Sequence, residues 1–136
     1  MEELRQLFYL SRAGAQITDS DVRQILLTSQ RNNRRGDITG CLLYSGKHFA
    51  QVLEGRPAAL DQLVARISED KRHTDLLIVI DHKVTKRRFP GWSMGILYKL
   101  YIEDQLEAFL AGGPISSGDA VKLLGEMNPD TVMGDL

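Results

Sequence analysis

Five short stretches rich in apolar and β-branched residues predict five β-strands. In the first stretch, LRQLFYLS, apolar side chains alternate onto both faces, with Tyr9 on one face and Phe8 on the other. A Ser45–Gly46 turn signal joins the second and third stretches as a hairpin. The predicted strands cover residues 4–11, 38–44, 48–55, 76–84 and 92–101.

Helical spacing of apolar residues fills the intervals after the first and third strands. Thr18 and Asp21 resemble a capping box, and they open a predicted helix that runs to about Asn33. Pro57 suits the first turn of a second helix, whose apolar stripe is Leu60, Leu63, Val64 and Ile67. The resulting order, βαββαββ, is a ferredoxin-like pattern with one extra strand.

The C-terminal residues offer a cover for the second apolar face of this sheet. One short helix is predicted at 102–111 and another near 117–126, separated by a Gly112–Gly113–Pro114 break. We therefore expect an α+β fold with a mixed five-stranded sheet, two core helices on one face and two short C-terminal helices covering the other. The expected organisation is a main domain at 1–101, a helical cap at 102–127 and a flexible tail at 128–136.

Composition narrows the class of protein. The chain has 136 residues, of which 43% are hydrophobic, and a net charge of −1, so it can bury a core but gives no electrostatic case for nucleic acid or an anionic membrane. No apolar run approaches the roughly 20 residues that span a bilayer, and the acidic N-terminus does not resemble a signal peptide. Cys41 is the only cysteine. We expect a cytoplasmic protein without a membrane partner.

Polar residues continue the apolar stripe of the first helix. Beyond Leu26, the same face reaches Ser29 and then Asn32 and Asn33. Two interpretations stay open at this point. The helix end is polar because it frays into water, or these side chains form the rim of a pocket.

A glutamine interrupts the buried face of the third strand. Gln51 lies between Phe49 and Leu53 on one face, and a buried amide without partners costs about 1–3 kcal/mol. Tyr9, central in the first strand, needs a partner for its hydroxyl as well. Either the two side chains satisfy each other with no further role, or they join the helix residues in a pocket.

Such a pocket suits a planar heterocycle, because amides offer donors and acceptors to ring edges. The three histidines are scattered without metal-ligand spacing, so no metal site is predicted. Nucleophile-elbow, phosphate-loop and dinucleotide-binding motifs are missing from the sequence. A catalytic domain is therefore not expected.

Five segments together resemble the BLUF family, the domains that sense blue light using flavin. They are FYLSRA (8–13), LTSQRNN (27–33), DITGCLLYSGKHFAQVLEG (37–55), ISEDKRH (67–73) and RRFPGWSMG (87–95). The resemblance covers roughly residues 3–100. It implies a ferredoxin-like fold with non-covalently bound FAD between the two core helices, with FMN and riboflavin as alternatives.

The resemblance also assigns roles to individual residues. Tyr9 is the tyrosine that hydrogen-bonds the key glutamine, Gln51, and Asn33 is the asparagine that holds the flavin ring. Trp92 and Met94 match a pair on the last strand that exchanges places near the glutamine. The other implied cofactor-binding residues are Ser29, Asn32, Arg66, Asp70, Arg72 and His73.

The implied photochemistry is a proton-coupled electron transfer. Tyr9 gives an electron and a proton to the excited flavin through Gln51, and their return leaves the Gln51 amide rotated or tautomerised. A stronger hydrogen bond to the flavin then shifts its absorption to the red.

The resemblance implies a short sensor that signals to an unidentified downstream protein or through self-association. About 36 residues follow Leu100, too few for an effector enzyme, and the tail helices are the expected output surface. The alternative is a ferredoxin-like ligand-binding or acylphosphatase-like module without photochemistry, for which residues 11–14 are a weak phosphate-loop candidate. A flavin protein without photochemistry is a further alternative.

Overall fold

The computed structural model describes residues 3–99, 102–112 and 116–128. Leu100 and Tyr101 of the last predicted strand, part of the Gly112–Pro114 break and nearly all of the predicted tail lie outside these residues. The elements are β1 (Leu4–Ala13), α1 (Asp19–Gly36), β2 (Thr39–Tyr44), β3 (His48–Gly55), α2 (Pro57–Glu69), β4 (His73–Val84), β5 (Gly95–Tyr98), α3 (Glu103–Leu110) and α4 (Ser117–Gly125). The predicted βαββαββ order followed by two helices is confirmed.

The five strands form one sheet in the order β4-β1-β3-β2-β5. Strands β1 to β4 pair antiparallel, whereas β5 lies parallel to β2, so the predicted mixed sheet is confirmed. Strands β1 and β3 are neighbours near the centre, and their register places Tyr9 directly opposite Gln51. Side chains of directly opposed residues share one face of the sheet and can make contact.

Each face of the sheet carries its own apolar cluster. Leu7 and Leu53 pack with residues of α1 and α2 on one face. Phe8 and Val52, next to them in the chain, pack on the other face with Leu106 of α3 and with residues of α4. Fully burying one such side chain stabilises the fold by about 1.5–3 kcal/mol. Because α3 and α4 contribute side chains to the second cluster, the predicted cap of C-terminal helices is part of the core.

Helix α1 begins as predicted and ends three residues later than predicted. The Thr18 side chain accepts a hydrogen bond from the Asp21 amide, and Asp21 returns one to Thr18, which completes the capping box. The helix ends at Gly36, and the C-cap residue Asp37 adopts a left-handed conformation with φ of 54°. Because Asn33 is 1% exposed, the interpretation that the polar helix end frays into water is wrong.

Strand β5 is shorter than predicted, because its first three expected residues belong to the preceding loop. The carbonyl of Ser93 accepts a hydrogen bond from Asn33 Nδ2 at 2.8 Å, and that of Met94 accepts one from Gln30 Nε2 at 3.0 Å. Side chains of α1 thus hold this backbone, and regular pairing with β2 begins only at Gly95.

An ion-pair cluster joins helix α3 to the sheet. Glu107 accepts hydrogen bonds from Arg12 of β1 at 2.6 Å and lies 2.6 Å from the His48 ring of β3. Arg12 also contacts Asp75 of β4 at 2.7 Å. Arg12 and then His48 hold the pKa of Glu107 at about 2, so this carboxylate is charged at neutral pH.

Within the ranges described above, no helix is long and apolar enough to cross a membrane.

We expect Gly40→Ala to lower the free energy of unfolding by about 3 kcal/mol, at the upper end of overpacking effects. A Cβ atom at this position of β2 would overlap the backbone carbonyl of Val52 in β3, and backbone atoms cannot move aside cheaply. Urea denaturation monitored by circular dichroism measures the change. Gly91→Ala is the matched control, because a Cβ there meets no atom within 4 Å. Equal midpoints for the two variants would contradict this account.

Candidate functional site

A cavity opens between α1 and α2 over the central strands of the sheet. Its walls contain seven of the eight residues that the family resemblance assigns to cofactor binding, and they also contain Tyr9. The exception is Asn33. The predicted residues in the walls are Tyr9, Ser29, Asn32, Gln51, Arg66, Asp70, Arg72 and His73. The sequence analysis did not assign the other lining residues, which are Ile25, Thr28, Leu42, Phe49, Leu63 and Ile67.

Helix α1 turns two rows of side chains toward the interior. Val22, Leu26 and Gln30 are buried at four-residue spacing, while Ile25, Ser29 and Asn32 line the cavity. The rows are adjacent because residues three and four apart neighbour each other on a helix. The interpretation that the polar end of the stripe forms a pocket rim is therefore confirmed for Ser29 and Asn32.

Tyr9 and Gln51 form a buried hydrogen-bonded pair in the cavity wall. The Tyr9 hydroxyl donates a short hydrogen bond to Gln51 Oε1, and the two residues are 4% and 3% exposed. Burial, aided by the negative charge of Asp70, raises the pKa of Tyr9 well above its ordinary value. The phenol therefore keeps its proton and acts as a donor at neutral pH.

Met94 lies beside Gln51, and Trp92 does not. Gln51 Nε2 donates to Met94 Sδ at 3.3 Å, and Met94 is fully buried in the cluster below α1 and α2. Trp92 is half-buried and packs against the cluster on the opposite face. The resemblance left open which of the two is nearer the glutamine, and in this structure it is Met94. The prediction that both residues lie on the last strand is wrong, because β5 begins at Gly95.

Asn33 is buried and does not line the cavity. Its Nδ2 donates to the Ser93 carbonyl at 2.8 Å, but its buried Oδ1 has no hydrogen-bond partner among the described residues. A buried acceptor without a donor is costly. Such an acceptor suits an N–H donor of a ligand, but Asn33 does not line the cavity in this structure.

The part of the cavity wall that is formed by residues directly after α2 is charged. Arg72 and Asp70 form an ion pair at 2.6 Å, and the guanidinium holds the pKa of Asp70 below its ordinary value. Both side chains are only partly buried, at 40% and 29% exposure. They can therefore exchange this contact for ligand hydroxyl or phosphate groups.

The protein fixes the ring of His73 by both nitrogens. Nε2 contacts the Ile67 carbonyl at 2.7 Å and Nδ1 contacts the Ser11 hydroxyl at 2.8 Å. Because a carbonyl only accepts, Nε2 carries the proton, and in the neutral ring Nδ1 accepts from Ser11. The ring meets Tyr9 edge-on at 6.2 Å between centroids. His73 thus shapes the wall beside Tyr9.

Some residues of this region escaped the sequence analysis. Gln30 lies four residues after Leu26 on the buried row, and this spacing was a usable signal. Ser11 shares its face with Tyr9 in the alternation of β1, which was also visible. The role of Thr28 depends on where α2 packs, and no local pattern indicated it.

No group of three or more His, Cys, Asp or Glu side chains gathers as a metal site in the part of the chain that the structure covers.

A known protein family and characterised proteins match the same part of the chain that carries the cavity residues. The family model for BLUF, sensors of blue light using FAD, matches residues 4–95. The β subunit of photoactivated adenylate cyclase of Euglena longa is 36% identical over 92 residues, which are 67% of this chain and 11% of that protein. The blue light- and temperature-regulated antirepressor BluF of Escherichia coli (strain K12) is 29% identical over 63% of this chain and 21% of its own length. The chain thus spans about a tenth to a fifth of the length of these relatives.

Solved structures show the same architecture. BlrB, a BLUF protein in its dark state, is 37% identical with a TM-score of 0.76, and the match covers 93% of this chain and 96% of that one. A bacterial light-regulated adenylyl cyclase is 28% identical with a TM-score of 0.68, over 90% of this chain and 36% of the cyclase. The ferredoxin-like fold, the family model and these relatives agree, and the chain belongs to the BLUF family of flavin-binding blue-light sensors.

Proposed function

We propose that this chain binds FAD non-covalently in the cavity between α1 and α2 and switches its hydrogen bonds through Gln51 when it absorbs blue light. The buried contact of Tyr9 with Gln51 in the cavity wall carries this proposal. A pair that served packing alone has no need of a neighbouring cavity lined by amides and charged groups. Residues 1–101 are the proposed flavin-binding unit and 102–127 the proposed cap.

The lining suggests how FAD is held. Asn32 and Gln51 present amides to the cavity. Asn33 lies outside the lining, and its buried Oδ1 has no donor among the described residues. Arg66, Asp70 and Arg72 suit the ribityl hydroxyls and phosphates, with Ser29 and His73 completing the walls. Apolar side chains such as Ile25 and Leu63 suit the faces of a planar ring.

Gln51 has the properties of a two-state switch. One end of its amide accepts from Tyr9, while the other donates only to a thioether sulfur, which is a weak acceptor. Because donor and acceptor ends differ, rotation or tautomerisation of this amide reverses what it offers to Tyr9 and to the cavity. When bound, the flavin supplies blue-light absorption and an electron-accepting ring. Tyr9 would supply an electron and, through Gln51, a proton, and their return to Tyr9 would leave the Gln51 amide rotated or tautomerised.

We propose that the signal passes to a separate protein. The match covers 96% of BlrB, a BLUF protein, which supports signalling by a BLUF unit without an effector domain in the same chain. Matched structures also include a light-regulated adenylyl cyclase, of which the chain covers 36%.

The acylphosphatase-like alternative has less support. Its candidate phosphate loop at residues 11–14 would need Arg12 to bind an anion. The Arg12 guanidinium instead contacts the carboxylates of Asp75 and Glu107 at 2.7 and 2.6 Å. An incoming phosphate would have to displace both carboxylates.

A spectrum before and after blue light tests the proposed function. We expect purified protein to be yellow and to show a red-shifted flavin spectrum after blue light that returns in the dark. Heat-released cofactor identified by mass spectrometry distinguishes FAD from FMN and riboflavin. Colourless protein that takes up none of these flavins would contradict binding, whereas yellow protein without a reversible shift would contradict the photochemistry alone.

A further inference from the structure

Glu54 is a fully buried carboxylate on the face of β3 opposite Gln51. It is 0% exposed, and it accepts hydrogen bonds from Gln6 Nε2 at 2.9 Å and from the backbone amides of Arg88 and Phe89 at 2.8 and 2.9 Å. A buried carboxylate needs such donors to be tolerated. Two of the three belong to consecutive residues in the loop between β4 and β5, so Glu54 fixes that loop at one point.

The same loop, residues 85–94, ends at the photoactive pair. Its last residue is Met94, whose Sδ contacts the Gln51 amide. The side chain of Gln30 holds the Met94 carbonyl at 3.0 Å. The loop therefore connects the two faces of the sheet, with Glu54 fixing it on the cap side and Gln30 fixing it on the cavity side.

Arg88 extends this connection to helix α4. Its Nε donates to the Met127 carbonyl at 3.1 Å, and Nη2 lies 3.5 Å from the Leu124 carbonyl. Leu124 lies in the last turn of α4, and Met127 follows two residues after the helix ends at Gly125. A cation is favoured at this end of a helix. Helix α3 is joined to the sheet elsewhere, through Arg12 and Glu107. Arg88 is thus a direct polar contact between the Met94 loop and the end of α4.

We propose that Glu54 and Arg88 are positioning residues of the photocycle, which couple the Gln51 switch to the C-terminal end of α4 through the loop 85–94. A change in the Gln51 amide alters its contact with Met94 and so the end of the loop. Glu54 ties the Arg88 and Phe89 amides to β3, the strand that carries Gln51. A displacement of this part of the loop reaches the end of α4 through the Arg88 guanidinium. This inference rests on the proposed blue-light function and adds the route and the helix that respond.

Hydrogen–deuterium exchange of the FAD-loaded full chain tests the route. In wild type, we expect amides in 117–125 to change their exchange rates about threefold or more between darkness and continuous blue light. Arg88→Met keeps the aliphatic length and removes the guanidinium. It should retain the red shift but lose the light response of α4, with rates equal within about 1.5-fold. Lys86→Met is the matched control, since Lys86 is an exposed cation of the same loop, and it should respond as wild type does.

Glu54→Gln supplies an optical readout of loop positioning. The amide replaces one acceptor oxygen by a donor facing backbone N–H groups, so we expect dark recovery to change by about threefold or more while the red shift still forms. A wild type without a red shift contradicts the proposed function itself. Two results would overturn the coupling. One is a wild type that forms the red shift but shows no light response in α4, and the other is an Arg88→Met variant that keeps both the red shift and the wild-type response of α4. A dark-recovery rate of Glu54→Gln within about 1.5-fold of the wild-type rate would overturn the role of Glu54. If this variant does not fold, the Arg88→Met comparison still decides the route.

Discussion

Tyr9→Phe is expected to abolish the light-induced red shift while the protein stays yellow. Phenylalanine keeps the ring in the buried cluster but removes the hydroxyl that donates to Gln51 Oε1. The variant therefore has neither the proton nor the readily oxidised phenol at this position. An unpaired Gln51 oxygen costs about 1–3 kcal/mol, which lowers stability without removing the cavity. Absorption spectra before and after blue light, with flavin content determined in parallel, measure the effect.

Tyr44→Phe is the matched control for this prediction. Tyr44 belongs to the same cluster, and its hydroxyl donates to the Gly46 carbonyl at 2.8 Å, away from Gln51. This variant loses a buried tyrosine hydroxyl yet should keep a reversible red shift. A normal shift in Tyr9→Phe would remove Tyr9 from the mechanism, and loss of the shift in both variants would point to general damage to the core.

Gln51→Leu is the second change with a large expected effect. Leucine has similar volume and suits the neighbouring Phe49 and Leu53 on the same strand face, so the fold and flavin binding should persist. It offers no amide to reorient, and it leaves the Tyr9 hydroxyl without an acceptor at a cost of about 1–3 kcal/mol. We expect no red-shifted state, measured by difference absorption after a blue-light pulse.

Gln6→Leu controls for loss of a buried amide from the sheet. Gln6 is 6% exposed on the cap side of β1, where it contacts Glu54 and His82. Because it does not line the cavity, its variant should form the red-shifted state even if the rate of recovery changes. If Gln51→Leu formed a normal, reversible red shift, the amide switch would have to be abandoned.

Strand β3 contributes to both the proposed switch and the proposed coupling. On one face of β3, Gln51 contacts Tyr9 and Met94, and on the other face, Glu54 holds the loop that bears Met94. Alternation along a strand puts these functions on opposite sides within four residues. Substitutions in β3 therefore need both an optical and an exchange readout before an effect is assigned to either face.

Much of the fold was predictable because its signals are local. The capping box at Thr18, the proline that begins α2 and the alternation in β1 and β3 each depend on a few consecutive residues, and the structure confirms them. The extent of β5 was not predictable from its apolar pattern. Side chains of α1, distant in sequence, hold the carbonyls of Ser93 and Met94 and so delay the start of the strand.

For the candidate site, the sequence by itself determined which residues are unusual. A glutamine within an apolar strand face and asparagines on an apolar helix stripe are visible without a structure, and the family motif added their roles. Only the tertiary structure decided that Tyr9 lies opposite Gln51, that Met94 rather than Trp92 contacts the amide, and that Asn33 does not line the cavity. Periodicity shows which face a side chain occupies, whereas strand register and helix packing decide which distant side chain it meets.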